Sequence, residues 1–83
     1  MADEGRELAV MEKSGGRLIR VTASTFEGYD LVDVREYFED EMGAPKPTRK
    51  GISLRREQFG EFVDMLLQAK EALGLADVRT EVI

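Results

Sequence analysis

The chain has 83 residues, neither cysteine nor histidine, and a formal net charge of −5 at pH 7. This length suits one domain with a modest core, and the missing residue types exclude disulfides and the usual histidine and cysteine ligands of zinc. They also remove the common pairs of nucleophile and base, so we expect no enzyme activity, no metal site and no cofactor. With so small a core, two copies of the chain are expected to combine theirs.

The negative net charge argues against a nucleic-acid partner, but the charges are unevenly distributed. Residues 13–56 carry nine cations and seven anions, so the excess of acids lies toward the two ends of the chain. Because charges farther apart than a Debye length of about 8 Å are largely screened, the middle of the chain can attract phosphates while the whole molecule is acidic.

The first half of the chain predicts short strands joined by hairpin turns. Residues 1–7 are polar, without the apolar run of a signal peptide, and predict a disordered tail. Residues 8–11 form an apolar strand that ends at a Ser-Gly-Gly hairpin signal. A second strand over residues 17–24 is followed by a turn over residues 25–28.

The second half predicts two further strands and a helix. Strands over residues 29–38 and 46–54 are separated by a turn rich in acids, glycine and proline, and such short connections indicate an antiparallel meander. From residue 55 to 73 the apolar side chains recur every three or four positions, which predicts a helix with one apolar face. Ser53 is its candidate N-cap and Gly74 its left-handed stop. Five helix residues are predicted to be buried between helix, sheet and a partner copy: Phe59, Phe62, Val63, Leu66 and Leu67.

Two motifs in the centre of the chain are specific enough to indicate a family. They read Asp33-Val34-Arg35-Glu36-Tyr37-Phe38 and, after the turn, Lys46-Pro47-Thr48-Arg49-Lys50-Gly51-Ile52-Ser53-Leu54 followed by Glu57-Gln58-Phe59. They resemble the C-terminal domain of the transcriptional positive cofactor four family, whose usual form is D-I-R-E-Y-W, then K-P-G-R-K-G-I-S-L, then E-Q-W.

The resemblance covers most of the chain and implies a fold and a function. It runs roughly from residue 17 to residue 73 and implies an α+β fold with a curved four-stranded antiparallel sheet and one C-terminal helix. Together with the strand and helix patterns, this predicts a domain over residues 8–75. Residues 76–83 then form a frayed tail or a short docking segment. The resemblance also implies that a homodimer binds single-stranded DNA, or RNA, with little regard to base sequence. The short form, which lacks the Ser- and Lys-rich region of eukaryotic members, resembles the bacterial branch of the family.

Single strands are held by aromatic side chains that stack on bases and by cations along the phosphates. By resemblance, Phe26 and Phe38 are the stacking residues, with Phe38 in place of the family's usual tryptophan. Tyr29 offers a further stacking face, although Glu27 and Tyr29 stand where the human-type pattern has lysines. From the residues alone, Phe26 and Phe38 could instead complete the core from a loop and from a strand end.

The phosphate contacts are expected from cations near the two motifs. Four of them match basic positions of the family and Arg20 is an additional one, and the full set is Arg17, Arg20, Lys46, Arg49 and Lys50. Each could also be an ordinary surface charge. Arg35, inside the predicted third strand, has two open roles: contact with nucleic acid, or pairing with Asp33, Glu36 or Tyr37 within the sheet.

The expected function is therefore single-strand binding as a transcriptional coactivator-like or replication and repair accessory protein. Transcription machinery is an additional expected partner. The alternative is a protein-interaction module that uses the acidic helix face and binds nucleic acid weakly or not at all. No apolar segment approaches the roughly 20 residues that span a membrane, so we expect a cytoplasmic protein if bacterial and a nuclear one if eukaryotic.

Overall fold

The computed structural model describes residues 5–74, which form four strands and one helix. The elements in chain order are β1 (Arg6–Lys13), β2 (Arg17–Phe26), β3 (Tyr29–Glu39), β4 (Pro45–Arg55) and α1 (Arg56–Ala72). The strands lie in the sheet in the order of the chain, and each neighbouring pair is antiparallel. The predicted architecture of four antiparallel strands followed by one helix is confirmed. The predicted tail over residues 76–83 lies outside the described residues.

The strands extend farther than predicted because the turns are tighter. β2 continues through Phe26 and β3 begins at Tyr29, so Glu27 and Gly28 alone form the turn. Their φ angles of 51° and 82° correspond to a type I′ hairpin, whose twist matches that of the flanking strands. β1 begins at Arg6, so the last two residues of the predicted N-terminal tail belong to the sheet.

The loop between β3 and β4 is closed by Asp40. Its Oδ1 accepts hydrogen bonds from the backbone N–H groups of Met42 and Ala44, each at 2.9 Å. The Asp40 N–H donates to the Ala44 carbonyl at 2.9 Å. An aspartate side chain that bonds the following backbone in this way stabilises a turn, which agrees with the predicted loop.

The helix begins later than its predicted cap. Ser53 lies within β4 and its Oγ donates to Asp33 Oδ1 at 2.6 Å, so the prediction of Ser53 as N-cap is wrong. The N-cap is Arg55, whose backbone N–H donates to Gln58 Oε1 at 3.1 Å, the reciprocal half of a capping box. Gly74, with φ of 70°, follows the helix as the predicted left-handed residue. No helix within residues 5–74 is long and apolar enough to cross a membrane.

Cross-strand pairing assigns the side chains to two faces of the sheet, because successive residues alternate and paired residues share a face. Phe59 of α1 lines the same cavity as Ala23 and Val32, and Arg56 Nη1 lies 3.5 Å from Asp30 Oδ2. The helix therefore starts on the face that carries these residues, here called the helix face. The opposite face, called the open face, carries the alternate residues of β2 and β3, such as the pair Arg20 and Arg35, together with the residues of β1 and β4 that pair with them.

The core of one chain is incomplete. Val32, at 7% exposure, is the one buried apolar side chain within residues 5–74. On α1, Leu66 and Leu67 are 49% and 55% exposed, and the cavity beside Phe59 has a volume of about 460 Å³. A single copy therefore leaves the predicted helix core only partly covered.

Candidate nucleic-acid interface

One row of side chains crosses all four strands on the helix face, near the carboxyl end of β3. The register pairs Lys13 with Arg17, Arg17 with Phe38, and Phe38 with Lys46. Directly paired residues of antiparallel strands have Cβ atoms about 4.5–5.5 Å apart, so these four side chains are immediate neighbours. We call them the basic row. Phe38 is 39% exposed, and the row therefore presents an aromatic surface flanked by cations.

Glu36 lies beside the basic row on the same face and is buried, with a side chain that is 4% exposed. Its Oε1 accepts a hydrogen bond from Lys13 Nζ at 2.8 Å and its Oε2 accepts one from Arg17 Nη1 at 2.7 Å. The Lys13 bond lowers the pKa of Glu36 below its ordinary value of 4.5 against the opposing effect of burial, and the Arg17 bond adds to it. Glu36 is thus an anion at neutral pH that holds two cations, and one positive charge is left in excess.

The bulge between β3 and β4 places two further predicted cations beside the row. Regular pairing stops between Arg35 and Tyr37, and the β4 strand has two extra residues there. Thr48 Oγ1 donates to the Glu36 carbonyl at 2.9 Å and ties the bulge to β3. Arg49 and Lys50 are exposed on this bulge, and neither forms an ion pair within the described part of the chain.

Lys46 is also exposed, and its charge is only loosely compensated. Its Nζ lies 3.8 Å from Asp40 Oδ2, longer than the contacts of Glu36, and its side chain is 55% exposed. Such an exposed pair is weak, so the Lys46 ammonium can exchange this carboxylate for a phosphate at little cost.

Arg35 lies on the open face and forms three hydrogen bonds within the sheet. Its Nε and Nη2 donate to the two carboxylate oxygens of Asp33, each at 2.9 Å, and its Nη1 donates to the Thr48 carbonyl at 3.0 Å. Burial raises the pKa of Asp33, but hydrogen bonds from Arg35 and Ser53 outweigh it and lower that pKa. Of its two predicted roles, the pairing with Asp33 is present, and a contact with nucleic acid stays a prediction.

Arg20 also lies on the open face, opposite to Arg17. Its Nε is 2.9 Å from Glu7 Oε1, and its guanidinium carbon lies 4.5 Å from the centre of the Tyr37 ring. The Arg20 side chain is only 18% exposed. These two contacts stabilise the sheet, and the phosphate contact of Arg20 stays a prediction.

Phe26 and Tyr29 face each other across the β2–β3 turn, on the open face, and are 49% and 51% exposed. The guanidinium carbon of Arg55 lies 4.5 Å from the centre of the Tyr29 ring. From Arg17 to Phe26 the strand extends nine steps, roughly 30 Å. Phe26 and Phe38 are therefore far apart in one chain, and by strand alternation they point to opposite faces.

The predicted site residues thus fall into two groups. The open face carries Arg20, Phe26, Tyr29 and Arg35. The helix face near the bulge brings together Arg17, Phe38 and Lys46 by register, with the exposed cations of the bulge next to them. The sequence interpretation missed Lys13 and Glu36. A signal was available, because Glu36 alternates with Val32, Val34 and Phe38 and is the one charge within that apolar series.

Residues 13–65 match the family model described as Transcriptional Coactivator p15 (PC4), the family whose motifs the sequence resembles. The chain belongs to the PC4 family. It is 41% identical over 59 residues to the RNA polymerase II transcriptional coactivator SUB1 of Saccharomyces cerevisiae, covering 70% of this chain and 20% of that protein. It is 42% identical over 60 residues to the coactivator KELP of Arabidopsis thaliana, covering 72% of this chain and 34% of that protein. The chain therefore spans only a fifth to a third of the length of these relatives.

A solved structure is similar over nearly its whole length. The crystal structure of BPSL1147, a PC4 homolog from Burkholderia pseudomallei, has a TM-score of 0.74 and 36% sequence identity to this PC4-family chain. The match covers 81% of this chain and 98% of that one. The arrangement of four strands and one helix is thus shared with a PC4 homolog.

Proposed function

We propose that this PC4-family protein binds single-stranded nucleic acid through the basic row, as a homodimer and with little sequence preference. Its cellular role would be that of a transcriptional coactivator-like or replication and repair accessory protein. The observation that carries the proposal is the continuous row in which exposed Phe38 lies directly between Arg17 and Lys46. The names of the relatives, RNA polymerase II transcriptional coactivators, support the coactivator-like part.

The row has the two components that single-strand binding needs. An exposed aromatic ring can stack on any base, since every base has a π-face, and cations on both sides can neutralise the flanking phosphates. A closed duplex keeps its base faces stacked on each other, so the ring would find no partner there. The row therefore favours a single strand over a duplex.

Titration of labelled oligonucleotides of equal length tests this function. We expect a single strand to bind at least about fivefold more tightly than the duplex, because one stacked base contributes about 1–3 kcal/mol. For the single strand, log K should fall against log salt by about 0.7 per phosphate neutralised. Parallel titrations with DNA and RNA strands would give the preference between them. Equal binding of duplex and single strand would contradict stacking, and no binding at low salt would favour the protein-interaction module.

The proposal of a homodimer rests on the incomplete core. With one buried apolar side chain among the described residues, the apolar area removed from water is small for a domain that lacks disulfides. The exposed Leu66 and Leu67 lie on the helix, where a second copy can cover them. Covering both helices and the open cavity beside Phe59 would give each chain the missing part of its core.

Sedimentation at micromolar concentration checks the dimer. We expect a species of twice the 9.3 kDa chain mass. Leu66→Glu should shift it toward monomer, because the variant places a charge in the apolar contact, whereas Gln68→Glu adds the same charge at an exposed polar position and should leave the dimer intact. A well-folded monomer of the wild-type chain would refute the homodimer.

A further inference from the structure

The basic row does not end at Arg17 but continues to the edge strand β1. We propose that Lys13 is a further phosphate-binding residue that the buried carboxylate of Glu36 holds in position, an inference that rests on the proposed binding of single strands. Lys13 pairs with Arg17 in the register and is 52% exposed, although its Nζ contacts Glu36. The strand of nucleic acid would then cross the sheet from β4 to β1.

Glu36 leaves most donors of its two partners free. An ammonium group has three N–H donors and a guanidinium has five, and Glu36 accepts one hydrogen bond from each. Two cations share one anion, so the group of Lys13, Arg17 and Glu36 keeps one net positive charge. The free donors of Lys13 and Arg17 can therefore reach a phosphate without breaking the contacts to Glu36.

The contact with Glu36 gives Lys13 a fixed position before a ligand arrives. A free lysine on a surface samples many rotamers, and ordering it on binding opposes affinity. Here the carboxylate is 4% exposed and lies at 2.8 Å from Nζ, so the lysine is already ordered in the folded protein. Lys13 should thus contribute more to binding than an unanchored surface lysine.

The turn next to Lys13 leaves room for a ligand. Gly15 and Gly16 carry no side chains, and a Cβ built on either would meet no atom within 4 Å. β1 has no further strand beyond it in the described chain, so nothing in residues 5–74 covers the ammonium from that side. A backbone phosphate can therefore approach Lys13 past the turn.

The test compares two lysines with a labelled oligothymidylate as the probe. Lys13→Met should weaken binding about fivefold at 0.1 M salt and flatten the slope of log K against log salt by about 0.7, the value for one phosphate contact. Lys70→Met removes the same charge from the last turn of α1, which contributes no residue to the row, and should change affinity and slope little. Lys13→Arg should retain the binding. Thermal melting establishes that each variant is folded, and equal effects of the two methionine variants would overturn the proposal.

A second comparison isolates the role of Glu36. In a Glu36→Gln background, Lys13→Met should lower log K by less than half as much as it does in the wild-type background, because the lysine is no longer held in position. Comparing within one background cancels the general gain in affinity from loss of an anion. An equal loss of log K in both backgrounds would overturn the positioning by Glu36.

If the wild-type protein binds the probe and Lys13→Met does not weaken that binding, only this inference fails. If the wild-type protein does not bind, the proposed function itself fails.

Discussion

Phe38→Ala should weaken the binding of a labelled single strand by about 1–3 kcal/mol, roughly 5- to 150-fold. Phe38 is the aromatic residue of the basic row, it is 39% exposed, and Arg17 and Lys46 are its direct cross-strand neighbours. Truncation removes the stacking surface and leaves both cations in place. The slope of log K against log salt should therefore be almost unchanged, and this separates loss of stacking from loss of charge.

Two matched substitutions distinguish a stacking role of Phe38 from a core role. Phe38→Leu keeps an apolar side chain but removes the π-face, so it should preserve the melting temperature and still weaken binding. Phe38→Trp restores the aromatic residue usual in the resembled motif and should bind at least as tightly as the wild type, because the indole face is larger. If Phe38→Leu binds as well as the wild type, or Phe38→Ala lowers stability without lowering affinity, then Phe38 is a core residue.

Gly51→Ala should destabilise the fold by about 1–3 kcal/mol, the usual cost of forcing extra atoms into a packed site. A Cβ at this position would lie 2.6 Å from the Val34 carbonyl oxygen and 2.8 Å from Arg35 Cα, and both are backbone atoms. Backbone atoms cannot rotate away, so β3 and β4 must separate beside the bulge. Because a domain of this size loses roughly 4–8 °C in Tm per kcal/mol, the change is large in a thermal melt.

Gly60→Ala is the control for the same chemical change elsewhere. Gly60 lies inside α1, where an added Cβ meets nothing within 4 Å. Alanine in a helix interior is favoured over glycine by about 1 kcal/mol, so this variant should melt at a higher temperature. Both variants are compared at one protein concentration, since stability of an oligomer depends on it. If Gly51→Ala has the same melting temperature as the wild type, the close approach of β4 to β3 at this point is wrong.

The order of elements could be predicted because it depends on short-range patterns. Alternation over residues 29–38 and the recurrence of apolar residues from Phe59 onward reflect the periods of 2 and 3.6 that strands and helices impose. Hairpin signals at residues 14–16 and at Gly28 then leave few alternatives to a meander. The boundaries were less accurate, because the turn at Glu27 and Gly28 needs only two residues and Ser53 is held by Asp33 across the sheet rather than by the helix.

The candidate site depended on long-range contacts. The sequence by itself identified Phe38, Arg17 and Lys46 as binding candidates, through residue type and family motif. It could not show that they form one row, because 20 or more residues separate Arg17 from Phe38 along the chain and only the register of β2 on β3 places them side by side. The same register separates Phe26 from Phe38 by strand length and by face.

Glu36 shows most directly what tertiary structure alone decided. In the sequence it is one acid among many in a charged strand, and the only hint of its burial is that it alternates with apolar residues. The folded sheet brings Lys13 from β1 and Arg17 from β2 within 2.8 and 2.7 Å of its carboxylate. A buried carboxylate is tolerable only when cations and hydrogen bonds compensate the loss of water, and here those cations come from two other strands. The sequence determined which charges this protein carries, and the pairing of its strands decided which of them are neutralised and which remain available to a phosphate.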